Sequence, residues 1–430
     1  MKPKILTTLR DYSWRQLGAD TLAGITVALV AFPLSIAIAI ASGAQPAAGL
    51  VTAVIAGFLI SALGGSRVQI GGPTGAFIVV VYGIIHNHGY EGLLVATLMA
   101  GAILLVAAVL RAGRLIRHVP ESVIEGFTIG IAIVIAVSQI KDLAGMSGPG
   151  LPADFIPKIE GLWAMRGTVN ETALALGIGC IVVILGLRKI APKIPWLVLV
   201  IPGASLVAAF ALPSVETVAA RYGELPDHLP APSLPHIDLN LLAELLPSAL
   251  TIAFLAGIES LLSAMVADRM IGSAHRSNAE LIAQGAANVA SPLFGGLPAT
   301  GAIARTATNV NAGGRTPVAG IVHALVILLA MLVAAPLAGA LALPALAGLL
   351  VVTAWSMSEP HRWPERMQMP RADLALLLLT AMLTVLADLT IAIGVGTVLG
   401  LALQWLRGDI SPPRWHTPFR WNINRKNNQG

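Results

Sequence analysis

Arg305 stands in the stretch GGLPATGAIARTATN, residues 295–309, between long apolar runs. A guanidinium at such a depth is costly unless it meets counter-charge or water, and ionisable residues inside a membrane mark ligand or ion sites by default. Glu259 lies near the middle of another apolar run, with Ser263 one helical turn later on the same face. A carboxylate and a hydroxyl so spaced can take up a proton or help coordinate a sodium ion. A third stretch, GGPTGAF at residues 71–77, echoes the one around Arg305: paired glycines, a proline, then a short apolar run. Glycine at positions 75 and 301 lets a ligand approach the backbone closely. Two plainer readings compete. A Glu259–Arg305 ion pair would only lock the fold, and the glycines would only allow close helix packing, as expected of Gly126 and Gly130. Packing alone does not explain two Gly/Pro breaks beside shortened apolar runs.

The elements that must position these residues follow from composition. The chain has 430 residues, 56% hydrophobic and 11% charged, with mean hydropathy +0.80. Soluble domains carry about 25% charged residues, so this is a polytopic membrane protein. Apolar runs near the ~20 residues that cross a bilayer begin near residues 20, 47, 92, 122, 171, 195, 243, 278, 317, 343, 372 and 389. Two shorter runs, 76–85 and 301–310, follow the glycine-rich breaks. The fourteen elements, with both ends on one side, leave 22 basic residues on that side and four on the other (Lys141, Lys158, Arg166 and Arg221), with Arg305 between. The positive-inside rule makes the basic side cytoplasmic. The loops 144–170 and 214–239 are expected to be caps on the opposite side. The first apolar run is too long for a signal-peptide core and is read as a retained span.

Several function classes drop out. Cys180 is the single cysteine, which excludes an internal disulfide framework and any multi-cysteine metal site. His86 and His88 are close together in what reads as a loop, without a third ligand for a metal. The basic residues form no long stripe, so no nucleic-acid partner is expected. Asp388 reads as a turn residue, and Glu125, four residues after Glu121, as serving a helix N-terminus.

The two halves echo each other. Pro33 precedes Pro73 of the first break by forty residues; Glu259 precedes Pro298 of the second by 39. Seven elements per half is an odd number, so the halves lie inverted in the bilayer. Paired broken segments in corresponding positions point to a transporter site at the repeat interface. Hydrocarbon offers no hydrogen bonds, so broken helices survive only where protein or water covers them. Two half-helices starting near the midplane aim their free N–H groups, each end carrying about half a positive charge, at one spot. Arg305 adds a full charge there.

GGLPATGAIARTATNVNAGGRTPVAG (295–320), GGSRVQIGGPTGAF (64–77) and FLAGIESLLSAMVADRM (254–270) closely resemble the sulfate permease (SulP) family of anion transporters, from about residue 20 to residue 407. The resemblance implies an all-α membrane protein with a seven-plus-seven inverted repeat, half-helices at elements 3 and 10, a core domain (elements 1–4 and 8–11) and a gate domain (5–7 and 12–14). It places the anion site on Thr74, Gly75, Ala76, Phe77, Gly301, Ala302, Ile303, Ala304 and Arg305, and cation coupling on Glu259 and Ser263. Three departures stand out: no STAS domain is expected after the last span, so dimerisation or regulation through it is absent or supplied by another chain; Leu34 stands where many members have Gln; and the tyrosine-containing stretch after the first span is QPAAGLV (45–51). The expected organisation is a cytoplasmic segment 1–19, a transport domain 20–407 with repeats at about 20–213 and 243–407, and a cytoplasmic tail 408–430, in a bacterial cytoplasmic membrane.

The expectation is a secondary transporter of bicarbonate, sulfate or dicarboxylate with elevator-like motion, coupled to a proton or sodium, with no other cofactor. A nucleobase–cation symporter of similar architecture and an uncoupled anion channel are alternatives; the former typically has a second carboxylate, on the tenth element. An intramembrane enzyme would need a nucleophile–base pair, which neither Cys180 nor Ser263 has in the sequence.

Overall fold

The computed structural model describes residues 2–10, 12–114, 119–191, 196–237, 239–387 and 389–408. Asp388 and the tail from residue 409 lie outside the described residues. Helix α1 (Trp14–Ala41) opens on a capping box, in which Ser13 and Gln16 satisfy each other's backbone N–H, and it runs through Pro33 without ending. Helix α2 (Pro46–Leu63) starts on a proline, whose missing N–H costs nothing in the first turn. The strand β1 (Gly71–Gly72) and a 3₁₀ turn (Gly75–Phe77) lead into α3 (Ile78–Val109). Gly89, at φ +70°, breaks the helical path of α3. His86 and His88 therefore lie in helix beside that break, not in a loop. No cluster of metal-ligating side chains forms among the described residues.

The chain continues through α4 (Glu121–Ser138), α5 (Glu171–Ile190), α6 (Leu197–Ala211), α7 (Leu239–Ile271) and α8 (Ser277–Leu293). After β2 (Thr300–Gly301) come α9 (Ile303–Asn311), α10 (Val318–Gly339), α11 (Leu343–Ser358), α12 (Arg371–Leu386) and α13 (Leu389–Leu406). Among the described residues, seven helices are long and apolar enough to cross a bilayer. Helix α8 misses that standard because it is short and carries Glu280, Gln284 and Asn288, all fully buried, on one stripe. Protein, not lipid, covers that stripe. The two expected caps hold short helices, Phe155–Ala164 and Val218–Tyr222.

Packing sorts the helices into two groups. In one, α10 lies on α1 and α2, and α8 and α7 lie on α3. In the other, α12 and α11 lie on α4, α11 on α5, and α13 on α12. Small residues make the close approaches: a Cβ at Gly126 would strike the backbone of Leu377, and one at Gly130 the side chain of Thr384. Those two glycines thus have the packing role expected of them.

Candidate functional site

The two broken segments meet. β1 and β2 pair antiparallel, Gly71 opposite Gly301 and Gly72 opposite Thr300. The Ala302 N–H extends the bridge by donating to the Ile70 carbonyl at 2.8 Å. From this crossing the chain enters helix twice: at Gly75 in the first half and at Ile303 in the second. Neither start has a side-chain cap, at Thr74 or at Ala302. First-turn N–H groups have no acceptor within a helix, so both starts leave donors for something else.

Both helix starts border a cavity of about 250 Å³ between the two helix groups. Pro73, Thr74, Gly75 and Ala76 form one side of its wall, and Ala302, Ile303, Ala304 and Arg305 another. Glu259 of α7 opens onto the same space. Leu34, Ile38, Phe127, Ile131, Phe254 and Ile393 make much of the remaining lining apolar, and Leu34 does so at the position where many members of the resembled family have Gln. An apolar wall excludes water and strengthens any charge interaction inside it.

Arg305 is 3% exposed and donates Nη2–H to the Pro73 carbonyl at 2.8 Å. Its Nη1 is buried and has no hydrogen-bond partner. Gly72 makes room for this side chain: its φ is +149°, and a Cβ there would collide with Nη1. At Gly301 a Cβ would collide with the Gln69 side chain. Glu259 accepts the Thr74 hydroxyl at 3.0 Å. Among the described residues no ion pair joins Glu259 to Arg305, so the simple fold-locking pair is not what the structure contains. Each charged group is instead tied to the first broken segment, one through Thr74 and the other through Pro73.

The sequence-derived set divides. Thr74, Gly75, Ala76, Ala302, Ile303, Ala304, Arg305 and Glu259 share the cavity wall. Phe77 is 2% exposed and packs in the apolar core behind it. Gly301 sits in the β bridge. Ser263 is fully buried, its Oγ 3.1 Å from Thr306 Oγ1, which also accepts the Ile70 N–H. Ser263 thus contacts the second broken segment while Glu259 contacts the first.

Sequence reasoning missed the groups that hold the crossing in place. The fully buried Glu280 carboxylate accepts from the Gly65 N–H (2.9 Å), the Ser66 N–H (3.2 Å), the Ser260 hydroxyl (2.9 Å) and the Gln284 amide (2.9 Å). Asn288 bonds both N–H and carbonyl of Ala299, and Asn309 donates to the Val68 carbonyl. The four-residue spacing of Glu280, Gln284 and Asn288 was a legible sign of one polar helix face. Glu125 also differs from expectation. It pairs with Arg362, and with Arg366 at 3.1 Å, rather than serving the start of α4.

The sulfate permease family profile matches residues 17–380 of this chain. YvdB of Bacillus subtilis, a protein named for sulfate transport, is 44% identical over 91% of this chain and 74% of its own length. The bicarbonate transporter BicA of Picosynechococcus is 32% identical over 89% of this chain and 69% of its own length. Among solved structures, the transmembrane domain of a cyanobacterial bicarbonate transporter BicA superposes with a TM-score of 0.80 at 30% identity, covering 89% of this chain and 98% of that one.

Proposed function

The chain belongs to the sulfate permease family, and from that premise, with the cavity geometry, we propose that it is a secondary active transporter of a small anion in a bacterial cytoplasmic membrane. The observation that carries this reading is the crossing itself. Two uncapped helix starts, one from each half, share one cavity with a buried, half-satisfied guanidinium. Backbone N–H groups and a fixed cation suit an anion's oxygens without selecting a particular anion. Bicarbonate, for which BicA is named, sulfate, for which YvdB is named, and dicarboxylates all fit that chemistry.

The transport cycle we propose moves one helix group past the other. With α3 divided at Gly89, the helices form two inverted sets of seven, α1 to α6 and α7 to α13. The core comprises α1–α3 and α7–α10, the gate α4–α6 and α11–α13. The cavity lies between these groups, so sliding the core carries the anion with Thr74–Ala76 and Ala302–Arg305 from one side to the other. Glu259, hydrogen-bonded to Thr74, is the coupling group for a proton or a sodium ion, with Ser263 one turn away. Both termini lie on the cytoplasmic side.

Uptake of radiolabelled bicarbonate, sulfate and succinate into proteoliposomes, with imposed pH or sodium gradients, tests this. Arg305→Ala is expected to lower anion uptake at least about tenfold, since a hydrogen bond to a charged group is worth ~1.5–3 kcal/mol. Uptake unchanged at several substrate concentrations rejects the role of Arg305. Anion current with no cation dependence points instead to a channel.

A further inference from the structure

A second cavity, of about 110 Å³, adjoins the one at Arg305. The two share Ile124, Thr128, Leu262, Ile303, Met357 and Glu359 in their walls, and of these only Glu359 is charged. The smaller cavity is also lined by Arg269, Arg362 and Arg366, which places it toward the basic face. On the transport reading, an anion moving between Arg305 and that face passes the Glu359 carboxylate.

Glu359 is held there deliberately. Its backbone is left-handed, at φ +45° and ψ +62°, a conformation disfavoured for a residue with a Cβ and kept only when surroundings enforce it. Its Oε2 accepts from Arg362 Nη1 at 3.1 Å and from Arg366 Nη2 at 3.3 Å. Arg366 Nη1 also bonds the Ser358 carbonyl at 2.8 Å and the Glu359 carbonyl at 3.3 Å. Both arginines are shared with Glu125, and Arg362 with Glu121. With Glu365 3.7 Å from Arg362, four carboxylates thus divide these two guanidinium groups. The smaller cavity's wall carries carboxylates and guanidinium groups in equal number, three of each, so the negative charge an anion meets at the junction is that of Glu359 itself.

We infer that Glu359 is a valence filter in the transport path: fixed by Arg362 and Arg366 where the two cavities join, its carboxylate discriminates between anions by their charge. This rests on the transport reading above. Coulomb repulsion scales with ligand charge, so a divalent anion meets about twice the opposition of a monovalent one at the same point. The filter therefore favours bicarbonate over sulfate.

The test compares initial rates of bicarbonate and sulfate uptake by the purified full chain in proteoliposomes. Glu359→Gln removes the charge. Glu359→Asn removes it with a side chain that tolerates the left-handed turn, and guards against a folding failure of the first variant. Both are expected to raise the sulfate-to-bicarbonate rate ratio at least about fivefold. Arg362→Gln, which leaves Glu359 less compensated, is expected to lower that ratio. A wild type confined to bicarbonate should gain sulfate uptake in the Glu359 variants. A ratio that moves less than about twofold in folded Glu359→Asn, or moves the same way in Arg362→Gln, overturns the filter alone; a wild type that carries only sulfate does so too. A wild type that carries neither anion overturns the filter, and one that carries no succinate either overturns the transport reading with it.

Discussion

Arg305 and Glu259 face the same cavity, yet each is bonded to the first broken segment rather than to the other. That arrangement leaves the guanidinium available to a ligand and leaves the carboxylate free to change charge without breaking an ion pair. The Thr74 hydroxyl is the link: it donates to the carboxylate, and its own residue opens the helix whose first turn lines the cavity. Loading the carboxylate with a proton or a cation therefore alters a contact at the edge of the anion site. Glu259→Gln is expected to keep downhill anion uptake while losing at least about tenfold in accumulation driven by a pH or sodium gradient, a factor worth ~1.4 kcal/mol. Gradient-driven accumulation measured beside simple exchange checks this, and full cation dependence in the variant rejects the coupling role.

At the scale of elements, the crossing survives because α8 supports it. A two-residue β bridge contributes little by itself. Glu280 fixes residues 65 and 66 before the first break, Asn288 fixes Ala299 before the second, and both stand on one buried face of α8. A buried carboxylate without its donors would be costly, but four donors reach this one. Removing it leaves those donors unpaired, each at ~1–3 kcal/mol. Glu280→Ala is accordingly expected to lower stability by at least ~3 kcal/mol, with Glu280→Gln milder because one acceptor oxygen stays. Thermal unfolding in detergent reads the difference. An alanine variant that melts with the wild type shows that α8 does not hold the crossing.

For the whole molecule, the contacts at the two faces differ. On the face of the caps, the Tyr82 hydroxyl of α3 donates to the Leu151 carbonyl at 2.5 Å, and the Lys158 ammonium lies 5.0 Å over the Tyr82 ring. Burial lowers the affinity of that lysine for its proton, with Asp154 acting against the shift. These contacts fasten the loop between α4 and α5 onto the other helix group. At the basic face, the smaller cavity continues from the larger one. Tyr82→Phe removes one hydrogen bond, ~1 kcal/mol or about fivefold in population. Amide exchange in the Phe155–Ala164 helix is expected to rise by about that factor; unchanged exchange means the loop is held by other contacts.

Much of this was written locally. Composition and apolar run length determined a multi-pass membrane chain, because the bilayer punishes charge wherever it lies. The Gly/Pro breaks determined where helices stop, and most site residues sit beside them, so Thr74 to Ala76 and Ala302 to Arg305 were legible as neighbours in sequence. Tertiary structure decided what depends on distance across the chain. It turned Phe77 into the core and Ser263 toward Thr306, kept Glu259 and Arg305 apart, and brought Glu125 to Arg366 across 241 positions. Side-chain direction and long-range pairing come from how helices pack, and no local pattern encodes which helix a polar face will meet.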